Sequence, residues 1–383
     1  MAEFDRAEIL SGLAAYHVPG DTFEVRIPDA GRDRTVSGYF NDFQKADDAI
    51  VGRAGEAAIY VTINPVKPEL IARANNRLKT NAKNTTADRD IAKLNWLPVD
   101  GDPPRPAGIS STDEAHDTSI SRIHEMRQWL IDDQGWPANS FVVVDSGNGG
   151  YLLARIELDN TTENSTLVKG CLEALDYLYS GEGFHVDTTS ANPARILRVP
   201  GTKNAKGDEV DGMNMHHRMA CILDAPDRFE VVPRAKLEAL AAMLPVPEAA
   251  PQTNYHTGST FDPIAYCREH GLSVHHTKSW VDRSGTKCTI AVLDECIFNP
   301  DHHGSACIIG WPNGARSYRC RHNSCLGKHW KDAKAIIEPG SGQHLPPGYS
   351  GHDLVFRFQN NRAIFNTLYC NLISCHLSVN AQP

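Results

Sequence analysis

The alternation of apolar and polar positions along the first part of the chain predicts a series of strands and amphipathic helices. Ala57 to Ile63, Leu94 to Val99 and Phe141 to Val144 are short apolar runs of the kind that form buried strands. Between the last two, Ser111-Thr-Asp-Glu114 has capping-box spacing, and Ile120, Ile123, Met126 and Leu130 then recur at helical intervals until Gly135-Trp-Pro stops the pattern. Tyr151 to Leu158 reads as another strand, and Val168, Cys171, Leu172, Leu175 and Leu178 mark one face of a second helix. The pattern predicts a mixed α/β domain of α+β class over residues 1–244. Residues 245–260 are rich in Pro and small polar residues and lack periodicity, so a linker is expected there. Residues 261–338 carry a short strand-rich pattern, and 339–383 form a tail with strand-prone runs such as Leu354 to Phe358, to which the pattern assigns no role.

Composition narrows the class. The 383 residues are 41% hydrophobic and 22% charged, those of a globular protein with room for one large or two to three ordinary domains. No apolar run approaches the roughly 20 residues that span a bilayer, and the opening MAEFDRAEIL lacks the basic end and apolar stretch of a secretory signal, so a cytoplasmic location is expected. A formal charge of -9 argues against coating nucleic acid or membrane through bulk charge. Its distribution is uneven. Residues 67–93 carry seven Lys and Arg against three acids, 195–218 five against three, and 316–334 six against one; together they stand at +11 and leave -20 elsewhere. Of ten cysteines, eight lie from Cys267 onward, a clustering that favours a metal site in a reducing compartment.

Leu97-Pro-Val-Asp100-Gly-Asp102 ends a strand in two acids spaced i, i+2, which places both carboxylates on one side, where they can hold a divalent cation. Alone, Asp-Gly-Asp-Pro-Pro would read as a solvated turn. Downstream, Phe184-His-Val-Asp187 again ends an apolar run in an acid, and Arg195, Arg198, Lys203 and Lys206 follow within a short span. Cations after a carboxylate cluster suit a triphosphate bridged by Mg²⁺ or Mn²⁺. Between the acid motifs lies Asp145-Ser-Gly-Asn-Gly-Gly-Tyr151, a turn whose backbone N–H groups are expected to form an anion nest.

In the C-terminal module, Cys296 with His302 and Cys320 with Cys325 are two pairs of soft ligands on either side of a strand-like run and a Pro312–Gly314 turn, the pattern of a structural zinc site. His303 and His322 are alternative ligands. Cys288 and Cys307 fall at strand-like positions and read as core. Arg319, Arg321 and Lys328, with Trp330 interleaved, suit single-stranded DNA, charge following phosphates and rings stacking on bases.

The order VDGD, SGNGGY, HVDTTSANPARILRVPGTKNAKG resembles the catalytic motifs of the archaeo-eukaryotic primase superfamily, and looks most like the primase-polymerases of phages, plasmids and other mobile elements. The upstream Tyr60-Val-Thr-Ile-Asn64-Pro65 and the basic stretch after it are similar to the lead-in of that family. The resemblance implies a catalytic core with an RRM-like antiparallel sheet, Asp100, Asp102 and Asp187 as ligands of two catalytic metals, and Ser146 and Asn148 on nucleotide phosphate. It implies Arg195, Arg198 and Lys203 as neutralising the triphosphate or the template backbone. The place usually given to a phosphate-binding His is assigned to Tyr151, which donates a hydrogen bond without a charge. The cysteine module resembles the zinc ribbon beside primase catalytic domains. These likenesses imply primer synthesis on single-stranded DNA from nucleoside triphosphates. A non-catalytic replication accessory and a metal-dependent phosphodiesterase are the alternatives. The sequence has no Gly-x-x-x-x-Gly-Lys-Ser/Thr loop, so a replicative helicase would be a separate partner.

Overall fold

The computed structural model describes residues 4–245 and 261–339, apart from 54, 56, 57, 182, 283 and 326. The expected linker, but for its first residue, and the tail beyond its first residue lie outside the described residues. The chain divides into Met1–Lys334 and Ala335–Pro383, so the strand-rich module falls in one compact unit with the preceding domain.

The N-terminal elements are α1 (Arg6–Tyr16), β1 (Phe23–Ile27), β2 (Val36–Phe40), α2 (Phe43–Val51) and β3 (Tyr60–Thr62). Next come β4 (Lys93–Asp102), α3 (Asp113–Asp132), β5 (Phe141–Asp145), β6 (Gly150–Asp159), α4 (Thr162–Tyr179) and β7 (His185–Val186). The short strands β8 (Ile196–Arg198), β9 (Lys203–Asn204), β10 (Arg218–Met219) and β11 (Cys221–Asp224) lead to α5 (Arg234–Ala241). The module holds α6 (Pro263–Glu269), β12 (Val274–Val281), β13 (Lys287–Glu295), β14 (His303–Gly310) and β15 (Arg316–Cys320), followed by α7 (Trp330–Ile337).

Among the described residues every pairing between two strands is antiparallel, and the protein is α+β. The central sheet runs β11-β5-β6-β4-β7. Within it, β4-α3-β5-β6-α4-β7 is a split β-α-β-β-α-β unit whose spatial order, edge strand β7 beside β4, then β6, then β5, is that of an RRM-like sheet. A second sheet runs β2-β1-β3-β8, and β12-β13-β14-β15 is a meander.

Side chains alternate across the central sheet. Leu97, Val99, Val143 and Leu152 pack on Ile123, Met126 and Leu130 of α3 and Leu172 and Leu175 of α4. Trp96, Val142, Val144 and Leu153 pack instead against Ile9 and Leu13 of α1 and Val25 and Val61 of the N-terminal sheet. Burial on both faces explains why Leu94 to Val99 of β4 is apolar apart from the buried Asn95, without a polar alternation. Because 96, 98, 100 and 102 share a face, the acid pair ends up on the side that meets the N-terminal sheet.

The helix cap differs from expectation by one residue. Thr112 caps α3, its hydroxyl accepting from Ala115 N at 3.2 Å, while the Ser111 N–H and hydroxyl both donate to Asn148 Oδ1. In the module the Pro312–Gly314 turn closes the β14–β15 hairpin, with Gly314 at φ +82° donating to Trp311 O. Cys288 and Cys307 are buried as expected; the Cys307 Sγ lies 2.9 Å from the Tyr177 hydroxyl of α4.

Candidate active site and metal centre

Asp100 and Asp102 close β4 opposite Tyr151 of β6 and His185 of β7. Asp187 follows β7 directly, and its N–H donates to Asp100 O at 2.8 Å, which sets the third acid beside the pair. The Asp187 carboxylate caps a 3₁₀ turn, accepting from Thr189 N at 2.9 Å and Thr189 Oγ1 at 2.6 Å, with Arg195 Nη2 3.6 Å away. Burial alone would push its carboxyl up, but the Thr189 bonds hold it below the usual value. Asp100 is pushed up to about 8, by burial first and then by the charges of Asp102 and Asp187, against which Arg195 and Lys206 act. A buried carboxylate with two acidic neighbours and incomplete compensation is a donor set of hard oxygens that fits a divalent cation.

Asp100 and Asp102 open on a cavity of about 290 Å³, whose walls also include Asn148, Tyr151, Arg195 and Arg198; Asp187 lies beside it and outside the lining. The glycine-rich turn forms one wall. Gly147 there has φ +87°, and a Cβ on Gly149 would stand 2.4 Å from both Asp102 Oδ1 and Gly101 O, so the turn needs glycine to approach the acid pair. The expected anion nest is not found: Ser146 N bonds Gly149 O, Gly147 N bonds Asp145 Oδ1, and Asn148 N and Gly149 N bond Ser146 Oγ. Ser146 also donates its hydroxyl to Gly149 O, so its hydrogen bonds hold the turn. Asn148, two positions after Ser146, accepts from Ser111 through Oδ1 and keeps a buried Nδ2 without a protein partner. Arg195 Nε is likewise buried and unpartnered.

Arg198 is nearly inaccessible. Its guanidinium lies 5.1 Å from the Tyr60 ring centroid and donates to Lys203 O at 3.2 Å. The Lys203 side chain is not in the cavity wall; its charge acts on Glu209. Lys206 takes the expected place, its amine lowered by burial and then by Arg105. Sequence reasoning missed Arg105, whose Nη2 reaches Asp102 Oδ2 at 3.1 Å; the signal was an arginine three residues beyond the acid pair.

The module gathers Cys296, His302, Cys320 and Cys325, with all ligand atoms within 4.8 Å of one another. Cys296 Sγ to Cys325 Sγ is 3.6 Å, Cys320 Sγ to His302 Nδ1 3.6 Å, and Cys325 Sγ to His302 Nδ1 3.5 Å. A tetrahedral zinc with Zn–S of about 2.3 Å and Zn–N of about 2.0–2.1 Å needs ligand atoms roughly 3.5 to 3.8 Å apart. The set fits. Among the described residues it is the one group of His, Cys, Asp and Glu donors drawn that close; Asp100, Asp102 and Asp187 are not. Of the three candidate imidazoles, His302 joins the set, His303 is exposed on β14, and His322 stacks on His302 at 3.8 Å. Ser324 Oγ lies 3.3 Å from His302 Nε2, and the Tyr318 hydroxyl lies 3.0 Å from Cys296 Sγ, outer contacts that orient both ligands.

Trp330 is a correction. It is buried against Phe261 and Tyr266, with Arg316 over its ring, so it serves the core and offers no face to a base. Lys328 is exposed, its amine 5.3 Å from the Phe298 ring. Arg319 and Arg321 line a second cavity, of about 520 Å³, with Arg122 and Lys278, two cations the sequence did not single out.

Among the described residues no helix is long and apolar enough to cross a membrane. No family model matches the chain, and no curated protein matches it. Among solved structures, the chain is similar to the AEP domain of the primase-polymerase (PrimPol) of cyanophage S-2L, at 14% identity and a TM-score of 0.36, over 63% of this chain and 100% of that domain.

Proposed function

We propose that the chain is a primase-type nucleotidyltransferase, a primase-polymerase that makes primers on single-stranded DNA in the replication of a phage or mobile element. The observation that carries this reading is the convergence of Asp100, Asp102 and the adjacent Asp187 with Arg105, Arg195, Arg198 and Lys206 around one cavity at the end of an RRM-like sheet. Acids alone would serve hydrolysis as well as synthesis; the surrounding cations favour a triphosphate. Mg²⁺ or Mn²⁺ held by Asp100, Asp102 and Asp187 would lower the pKa of the attacking hydroxyl and neutralise the leaving pyrophosphate.

The chain's own work is positioning and electrostatics. Arg195 and Lys206 reach phosphate oxygens. Arg198, held between the Tyr60 ring and Lys203 O, keeps a fixed charge behind them. Asn148 Nδ2 offers a neutral donor, and Tyr151, beside Asp100 in the sheet, offers a second through its hydroxyl. Thr189 keeps Asp187 ionised. In the module, Arg319 and Arg321 contact the template backbone and zinc holds the hairpins that present them.

The test incubates the protein with single-stranded DNA, labelled nucleotides and Mn²⁺ or Mg²⁺, beside an Asp100→Ala, Asp102→Ala double variant. Wild type should yield new primers and the variant none. Absence of product despite DNA binding would overturn the enzyme reading in favour of an accessory role, and degradation of the DNA would point to a phosphodiesterase.

A further inference from the structure

We propose that Arg105 is a nucleotide-binding residue that changes partners: it balances Asp102 while the carboxylate carries no cation, and would be released to the phosphates of the incoming nucleotide when a divalent cation takes the carboxylate. This rests on the nucleotidyl-transfer reading above. Arg105 stands in Asp102-Pro-Pro-Arg-Pro106, where three prolines fix the backbone on both sides, so its side chain moves on a rigid base. Its Nε donates to Ile109 O at 3.2 Å and Nη1 to Pro103 O at 3.3 Å, both within its own loop. Nη2 alone crosses to the acid, at 3.1 Å from Asp102 Oδ2. Asp102 is one of the carboxylates a cation would use, so the arginine and the cation would compete for its negative charge.

The loop that carries Arg105 is also tied to the loop that carries Lys206. Ser110 Oγ donates to Lys206 O at 3.1 Å, and Gly207, at φ +66°, comes so near that a Cβ there would meet Gly108 O at 2.7 Å. Two cations are thereby set on the rim of the same cavity, and the Lys206 amine is lowered by burial and then by Arg105. Arg105 would be repelled by a cation held at Asp102, and the mutual repulsion of Arg105 and Lys206 would be relieved by an anion between them. The guanidinium fork suits phosphate as well as carboxylate, which lets one residue serve both states.

The experiment uses the full zinc-loaded chain. Mn²⁺ affinity without nucleotide is read by electron paramagnetic resonance, and KM and kcat for a nucleoside triphosphate are read on a primed template. Arg105→Gln should bind Mn²⁺ roughly three- to tenfold more tightly than wild type, because a competing charge is gone, while KM for nucleotide rises roughly tenfold and kcat changes less. A merely structural arginine would not tighten metal binding on removal. Arg105→Lys keeps the charge, so Mn²⁺ affinity should stay within about twofold of wild type and KM should rise roughly threefold through loss of the fork. Unchanged or weaker Mn²⁺ binding in a folded Arg105→Gln variant overturns the proposal, as does wild-type KM in Arg105→Lys, which decides the matter if the Gln variant does not fold. If wild type binds no more Mn²⁺ than Asp100→Ala, Asp102→Ala, the functional reading falls first and the proposal with it.

Discussion

His17 lies buried under the N-terminal sheet, stacked on Phe23 at 4.6 Å, with Nε2 2.7 Å from Thr62 O. Burial depresses its pKa to about 3, with the Thr62 bond acting in the opposite sense. The unfolded chain therefore takes up a proton that the folded chain refuses, and stability should fall as pH drops from about 6.5 towards about 3. Urea unfolding between pH 7 and 4 checks this: a His17→Gln variant should show a flatter decline than wild type, and an equal slope would remove His17 as the cause. Single residues also mark where sequence reasoning stopped. Trp330 sits among lysines and reads as a stacking platform, yet its helix turns the ring onto Phe261 and Tyr266, residues about 65 positions earlier that no local pattern connects to it. Lys203 and Lys206 are equivalent as letters; only the path of the loop decides which reaches the cavity.

At the scale of elements, strands and helices were legible because their apolar periods are long and clean: the core of β4, β5 and β6 and the whole of α3 fall where the pattern places them. The order β7-β4-β6-β5 was not legible in the periodicity, since it depends on pairings between distant segments; the family resemblance alone implied the RRM-like sheet that the structure has. The turn between β5 and β6 was legible as glycine-rich, but its chemistry was not: its N–H groups are spent inside it, and the glycines serve approach to Asp102. Gly149→Ala tests that role. The added methyl would collide with Asp102 and the β4 backbone, which should reduce the proposed nucleotidyl transfer by about 100-fold and cost about 1–3 kcal/mol of stability. Primer-extension rates beside thermal unfolding measure both, and wild-type activity in the variant would refute the steric account.

For the molecule as a whole, the two cation-rich places, one at the end of the central sheet and one in the module, stand on a chain of net charge -9. The module is bound to the preceding domain by particular contacts. Lys278 of β12 donates to Tyr177 O at 2.6 Å and Ser180 O at 2.7 Å and so caps the C-terminal end of α4, and Tyr177 meets Cys307. Metal analysis should find about one zinc per chain, lost on Cys320→Ser with Cys325→Ser. Hydrogen exchange should then rise across β12–β15 and in the last turn of α4; protection unchanged in α4 would show that the cap survives without the metal.

The edge strand β7 has a consequence for how this protein tolerates change. Two pairs fix its register on β4, Gly101 with Val186 and Asp102 with His185, and the acid that completes the cluster comes next in the chain. A strand of two residues contributes little to the sheet, while a slip of one position would turn its side chains to the opposite face and carry Asp187 with them. Fold and chemistry thus have unequal tolerances at this edge: a change in the segment joining α4 to β7 can leave the body intact and silence the site, so variation there is read by activity long before it is read by stability.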